Sequence, residues 1–209
     1  MGIAERRQRE KDERIKHIQN CAAAVFYRKG YGETTMEEIA KTAELSKATI
    51  YLYFKSKEDL YYSIIEPALS RLARRLIRIA ADRREPAEAT VRKIISATNE
   101  LYEKDYDAYH LLSRYSAAEY VKLLPKAKLE HLKELMRSNL RQMEAAIRKG
   151  IAQGIFEAVD ARLISVILWN SFMGVIQYQE NRMEPGKTDY RKKTIDATVE
   201  LILKGLRKL

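Results

Sequence analysis

The chain has 209 residues, enough for one large domain or for a small domain with a medium one, and its 46% apolar content can fill a core. Gly (8) and Pro (4) are scarce, which favours helices, and a single cysteine excludes an intrachain disulfide. The net charge of +10 suits a nucleic-acid partner, but residues 1–60 carry 12 Lys and Arg against 10 Asp and Glu, so charge alone locates no interface.

No run reaches the roughly 18 apolar residues of a membrane span. The opening residues are charged where a secretory signal would be apolar. A reducing, cytoplasmic setting is therefore expected.

In chain order, the first helix is predicted from about Glu5 to Lys29. Ile15, Ile18, Ala22, Val25 and Phe26, at spacings of 3, 4, 3 and 1, form one face. Gly30 suits a left-handed helix end. Cys21 lies beside the apolar face and reads as a small semi-buried hydrophobe. Arg6, Arg7, Arg9 and Lys11 precede that face; they reach toward a DNA backbone or minor groove, or are simply a solvated helix end.

Thr34-Thr35 followed by Glu37-Glu38 offers two alternative capping boxes for a short helix with Met36, Ile39, Ala40 and Ala43 inward. Glu44-Leu45-Ser46 makes a turn. Ser46 caps a second short helix, from Lys47 to about Phe54, anchored by Ile50 and Phe54. Ser56 caps a long helix from Lys57 to about Arg83, in which Pro67 predicts a kink or short break near Glu66. Further helices are expected at Pro86–Lys104, Tyr106–Leu124, Pro125–Gly150, Asp160–Asn181 and from about Thr188 to the end. That makes about nine helices and an all-α protein.

Two short helices with a tight break form a helix-turn-helix, which inserts its second helix into the major groove of DNA. The run Gly30-Tyr31, Thr34-Thr35-Met36, Ile39-Ala40, Ala43, Ser46-Lys47, Thr49-Ile50-Tyr51, Tyr53-Phe54 and Ser56-Lys57-Glu58-Asp59-Leu60 resembles the tetracycline-repressor (TetR) family of bacterial regulators. The resemblance covers about residues 8–65. Beyond it only the layout agrees, a helical C-terminal domain. Three positions depart from the family pattern. Glu44 stands where a turn glycine is frequent, Ala48 replaces a common Gly, and Tyr53 replaces a frequent His. If position 44 needs positive φ, glutamate there costs about 1 kcal/mol.

The resemblance implies an N-terminal DNA-binding domain over residues 1–56 and a ligand-binding and dimerisation domain over 57–209. Phosphate contacts fix register and base contacts read sequence. Thr35, the Tyr51 and Tyr53 hydroxyls, and Lys57 at a helix start are expected on phosphates. Lys47, Ala48 and Thr49 are expected on bases, Leu52 on either or in packing, and Ser46 belongs to the same DNA-facing set. Taken singly, Lys47 and Lys57 would be ordinary solvated lysines, and the two tyrosines ordinary packing residues. The motif is what turns them toward DNA.

A groove-reading helix gains affinity from a second half-site, so a two-fold homodimer on a palindromic operator in double-stranded DNA is expected. The last helix offers Ile195, Val199, Ile202 and Leu206 as core or dimer seam. Its predecessor offers Leu163, Ile167, Asn170 and Gly174. The resemblance implies that these two helices form a four-helix bundle with their symmetry mates. It also implies a small-molecule effector inside the C-terminal domain. Tyr102, Tyr109, His110, Tyr115, Met136, Leu140, Met143, Trp169, Phe172, Met173 and Gln177 are its expected lining, or else plain core. Their character favours an acyl chain or an aromatic compound.

The sequence has no phosphate-binding glycine loop and no nucleophile elbow, and its three histidines lie far apart, so an enzyme is not expected. Clustered metal ligands are lacking, and no cofactor is expected. A helical protein–protein adaptor is the remaining rival; it would not need Lys47, Tyr51 and Lys57.

Overall fold

The computed structural model describes residues 2–113, 123–182 and 190–208. Nine helices are found among them: α1 (Ile3–Glu33), α2 (Met36–Thr42), α3 (Lys47–Tyr51), α4 (Lys57–Ala81), α5 (Ala87–Lys104), α6 (Tyr106–Ser113), α7 (Lys126–Ala152), α8 (Ala161–Arg182) and α9 (Arg191–Leu206). No strand accompanies them among the described residues; Phe156 and Arg207 form one isolated antiparallel bridge. Tyr115, part of the Tyr106–Leu124 segment and the expected start of the last helix at Thr188 lie outside the described residues.

The helices group into two compact units. The first holds Met1–Arg71 and Glu100–Glu134, the second Leu72–Asn99 and Leu135–Leu209. The division thus falls within α4, α5 and α7, and residues 57–71 pack with the helix-turn-helix.

In the first unit, Ile18, Ala22, Val25 and Phe26 of α1 are buried together with Ile39 of α2, Ile50 of α3 and Leu60, Tyr61 and Ile65 of α4. Phe26, Tyr31 and Tyr61 form an aromatic triangle with centroids 5.1 to 5.7 Å apart. The buried Tyr61 hydroxyl donates to the Leu111 carbonyl at 2.8 Å, which fastens α4 to α6. Gly30 lies at φ 82°, ψ 165°, a region almost confined to glycine, and interrupts the helical geometry of α1 there instead of capping it in the left-handed form.

Pro67 does not break α4, which runs unbroken from Lys57 to Ala81. A proline cannot bond the carbonyl four residues back, here Ser63. The Gln19 side-chain amide of α1 donates to that carbonyl at 3.0 Å, so the lost bond is replaced from outside the helix.

In the second unit, α5 contributes Val91, Ile94 and Ile95 to the core, α8 contributes Leu168, Phe172 and Ile176, and α9 contributes Ile195, Val199, Leu203 and Leu206. The Phe156 ring lies directly on Gly150, where any Cβ would collide with it. Main-chain bonds from Glu157 to Leu206 (2.8 Å) and from Lys208 to Ile155 (3.0 Å) tie this loop to the chain end. Asp160 caps α8, accepting from the Arg162 and Leu163 amides at 2.9 and 3.1 Å.

Candidate nucleic-acid interface

Local chemistry fixes the α2–turn–α3 hairpin. Of the two capping boxes, Thr35 and Glu38 form the one observed: the Glu38 amide donates to Thr35 Oγ1 and the Thr35 amide to Glu38 Oε2, both at 3.2 Å. α2 ends in a Schellman motif. Leu45 N–H bonds Ala40 O at 2.9 Å and Glu44 N–H bonds Lys41 O at 3.2 Å. That geometry needs a left-handed residue, and Glu44 supplies it at φ 54°. Ser46 then caps α3, accepting from the Thr49 amide at 3.0 Å.

α3 as a regular helix stops at Tyr51, short of Phe54. The Leu52 and Tyr53 amides bond three residues back, to Thr49 and Ile50, and tighten the last turn. Ile50 and Phe54 are buried and pin one side of this segment. Lys47, Ala48, Tyr51 and Leu52 are exposed, Thr49 and Tyr53 half-buried. Leu52, apolar yet 82% exposed, has no place in the core. The expected reading residues therefore share one free surface.

Electrostatics on that surface are more balanced than the sequence suggested. The Lys47 ammonium pairs with Glu37 of α2 and lies 6.0 Å from the Tyr51 ring centroid. Its hydrogen bond holds the Glu37 carboxyl below the usual carboxylate range, and Glu37 raises Lys47 in turn. Lys29 does the same to Glu38. Glu37 was missed in the sequence because it lies ten residues from Lys47; only the hairpin brings them together.

Lys57 is placed differently from its expected role as a free phosphate contact. Its ammonium donates to the carbonyls of Tyr31 at 2.8 Å and Thr34 at 2.7 Å, and sits 4.3 Å from the Tyr31 ring centroid. The Tyr31 hydroxyl donates to Glu58 at 2.6 Å. Lys57 therefore ties the start of α4 to the end of α1. In the arm, Arg6 and Arg9 are paired with Glu10 and Glu13 along a continuous helix.

The model of bacterial regulatory proteins of the tetR family matches residues 18–64, the segment that builds this hairpin. Residues 18–64 carry a TetR-family DNA-binding domain. Over 195 residues it is 28% identical to the uncharacterized HTH-type transcriptional regulator YhgD of Bacillus subtilis, covering 93% of this chain and 97% of that one. The TetR-family regulator PfmR of Thermus thermophilus superposes with a TM-score of 0.75 at 25% identity, over 91% of this chain and 99% of that one. The regulator FadR of B. subtilis, solved in complex with stearoyl-CoA, superposes at 0.70 with 22% identity, over 92% of this chain and 99% of that one. With that domain, the chain is a DNA-binding transcriptional regulator and not an enzyme.

The other expected sites divide between the two units. Tyr102, Tyr109 and His110 belong to the first. Tyr102 meets Tyr106 and Tyr109 edge-on at 5.5 and 5.1 Å, and His110 packs 4.4 Å from Tyr27 of α1. In the second unit Met143 and Phe172 are buried, Met136, Leu140, Trp169 and Met173 half-buried, and Gln177 exposed. On α9 the question of core or seam resolves toward core for Ile195, Val199 and Leu206, which are buried within their own unit, while Ile202 is half-buried. On α8, Leu163, Ile167, Asn170 and Gly174 are all exposed along one face.

Proposed function

We propose that the protein is a homodimeric repressor that holds a palindromic operator and is released by a small, largely apolar effector. Residues 1–56 read DNA and residues 57–209 carry the effector and dimer functions. The observation that carries this reading is the exposed face of α3, with Lys47, Ala48, Tyr51 and Leu52 free of the core while Ile50 and Phe54 anchor it. Lys47, Ala48, Thr49 and Leu52 meet bases; Thr35, Ser46, Tyr51 and Tyr53 hold phosphates. Lys57 stations the free amides at the α4 start and lends its charge there.

Dimerisation is supported by α8. Leu163 is 56% exposed and Ile167 41%, on a face completed by Asn170 and the small Gly174. Two large aliphatic groups in one exposed stripe favour a partner surface. A second copy supplies a self-complementary one.

For the effector, the aliphatic interior of the second unit, with Met143 and Phe172 among its buried residues, and the stearoyl-CoA bound by the FadR relative support an acyl thioester. Such a ligand acts only through its different affinities for the DNA-competent and DNA-incompetent states. The protein then works among DNA and metabolites in the cytoplasm.

The test is DNA binding by a triple Lys47→Ala, Tyr51→Ala, Lys57→Ala variant whose folding is checked by circular dichroism. Folded protein without specific DNA binding is expected; unchanged binding would assign the hairpin to another partner.

A further inference from the structure

Among the described residues, the fully buried polar ones mostly satisfy themselves. Thr34, Thr90, Thr98 and Ser165 each donate to the carbonyl four residues back, at 2.6 to 3.1 Å. Asn139 is the exception. It is 2% exposed, and neither its Oδ1 nor its Nδ2 has a hydrogen-bond partner. A carboxamide removed from water without partners is costly, and such groups are rare in folded proteins. A leucine has the same branched shape and, though bulkier, would carry none of that penalty.

Asn139 lies on the inward face of α7, one turn from Met136 and one from Met143, in the second unit. That is the stretch where the effector is placed above. No lysine, arginine, histidine, aspartate or glutamate is buried among the described residues of this unit. An ionised ligand group there would have no counter-charge. A neutral one would suit a carboxamide, whose Nδ2 donates and whose Oδ1 accepts.

We propose that Asn139 is the polar anchor of the effector site, and that the group it binds is the neutral carbonyl of an otherwise apolar molecule. This rests on the acyl-thioester reading above and sharpens it. Nδ2 donates to the thioester carbonyl, and Oδ1 accepts from the amide N–H a few bonds away in the cysteamine arm of coenzyme A. The carboxamide selects thioesters over hydrocarbon of equal length, and the ligand-free protein bears the cost of keeping it.

The experiment compares two probes on the full-length protein by isothermal titration: palmitoyl-CoA, and the S-hexadecyl-CoA thioether, which lacks only the carbonyl. Wild type is expected to prefer the thioester by about tenfold, the size of one buried hydrogen bond. Asn139→Leu is expected to bind both alike. Asn139→Ala repeats the test should leucine disturb packing. A variant that keeps the thioester preference overturns the proposal.

Melting of the ligand-free proteins gives a second, independent readout. Asn139→Leu should raise the melting temperature by about 3 °C or more. A lowered one for both Asn139→Leu and the smaller Asn139→Val would mean that the amide already has a structural partner, which also overturns the proposal. If wild type binds neither probe, the acyl reading fails separately, and the melting comparison alone then decides the role of Asn139.

Discussion

Glu44 shows how one residue can carry a cost in a well-formed motif. Its backbone completes the Schellman turn at φ 54°, a conformation that glycine adopts freely and a β-carbon resists. Glu44→Gly is expected to stabilise the protein by about 1 kcal/mol. Calorimetry would record this as a higher melting temperature, and an unchanged or lower one would show that the side chain compensates locally. Lys47 carries the opposite lesson. It reads as a base-contacting lysine in the sequence, yet in the free protein Glu37 competes for it. Removing that competitor with Glu37→Gln should tighten DNA binding several-fold at low salt, with the gain shrinking as salt screens it. Lys47→Ala should weaken specific binding about tenfold or more and relax preference at one base pair. Anisotropy titrations over a salt series separate the two effects. Asn139 was legible in part: its spacing from Met136 and Met143 puts it in their inward phase, but an asparagine on a charged, amphipathic helix reads first as surface.

Caps, turn residues and apolar spacing settled most element positions, because those signals are local. Thr35, Ser46, Ser56 and Asp160 all sit at or beside helix starts as read. What escaped were features created by contact between elements. Pro67 signals a break in isolation, but Gln19 donates to the carbonyl it orphans and α4 continues. Tyr102, Tyr109 and His110 have the look of pocket lining; in the first unit Tyr102 packs edge-on against Tyr106 and Tyr109, and His110 lies against Tyr106 and Tyr27. Two predictions belong to the second unit. Gly150→Ala would drive a methyl into the Phe156 ring and cost about 2 kcal/mol, seen as a lower urea midpoint. Glu88 accepts hydrogen bonds from Nε and Nη2 of Arg207 at 2.7 and 2.8 Å, and these bonds hold its carboxyl below the usual range. Its contribution to stability is therefore full above the ordinary glutamate value and is lost as pH falls through the lowered one. Urea melts from neutral pH into acid should fall less steeply for Glu88→Gln; an identical slope would show the pair to be irrelevant to folding.

At the scale of the whole molecule, the family resemblance was readable from residues 30–60, because a helix-turn-helix packs many fixed-spacing constraints into a short run, and the all-α architecture from scarce breakers and helical periodicity along the chain. The C-terminal two-thirds offered only periodicity, which cannot tell core from seam: on α9 the apolar stripe is largely core, whereas on α8 it faces outward. If α8 is the dimer seam, Leu163→Arg with Ile167→Arg should yield a monomer in light scattering while circular dichroism stays helical; a dimer that survives would move the interface elsewhere. The central claim is that a dimer of this chain reads a two-fold operator. It is tested most directly by enriching genomic fragments on the purified protein and footprinting the enriched site at fixed salt. The expected result is protection of a palindrome whose half-sites lie a whole number of helical turns apart, lost in the Lys47→Ala, Tyr51→Ala, Lys57→Ala variant. Enrichment no better than random DNA, with and without added acyl-CoA, would contradict it.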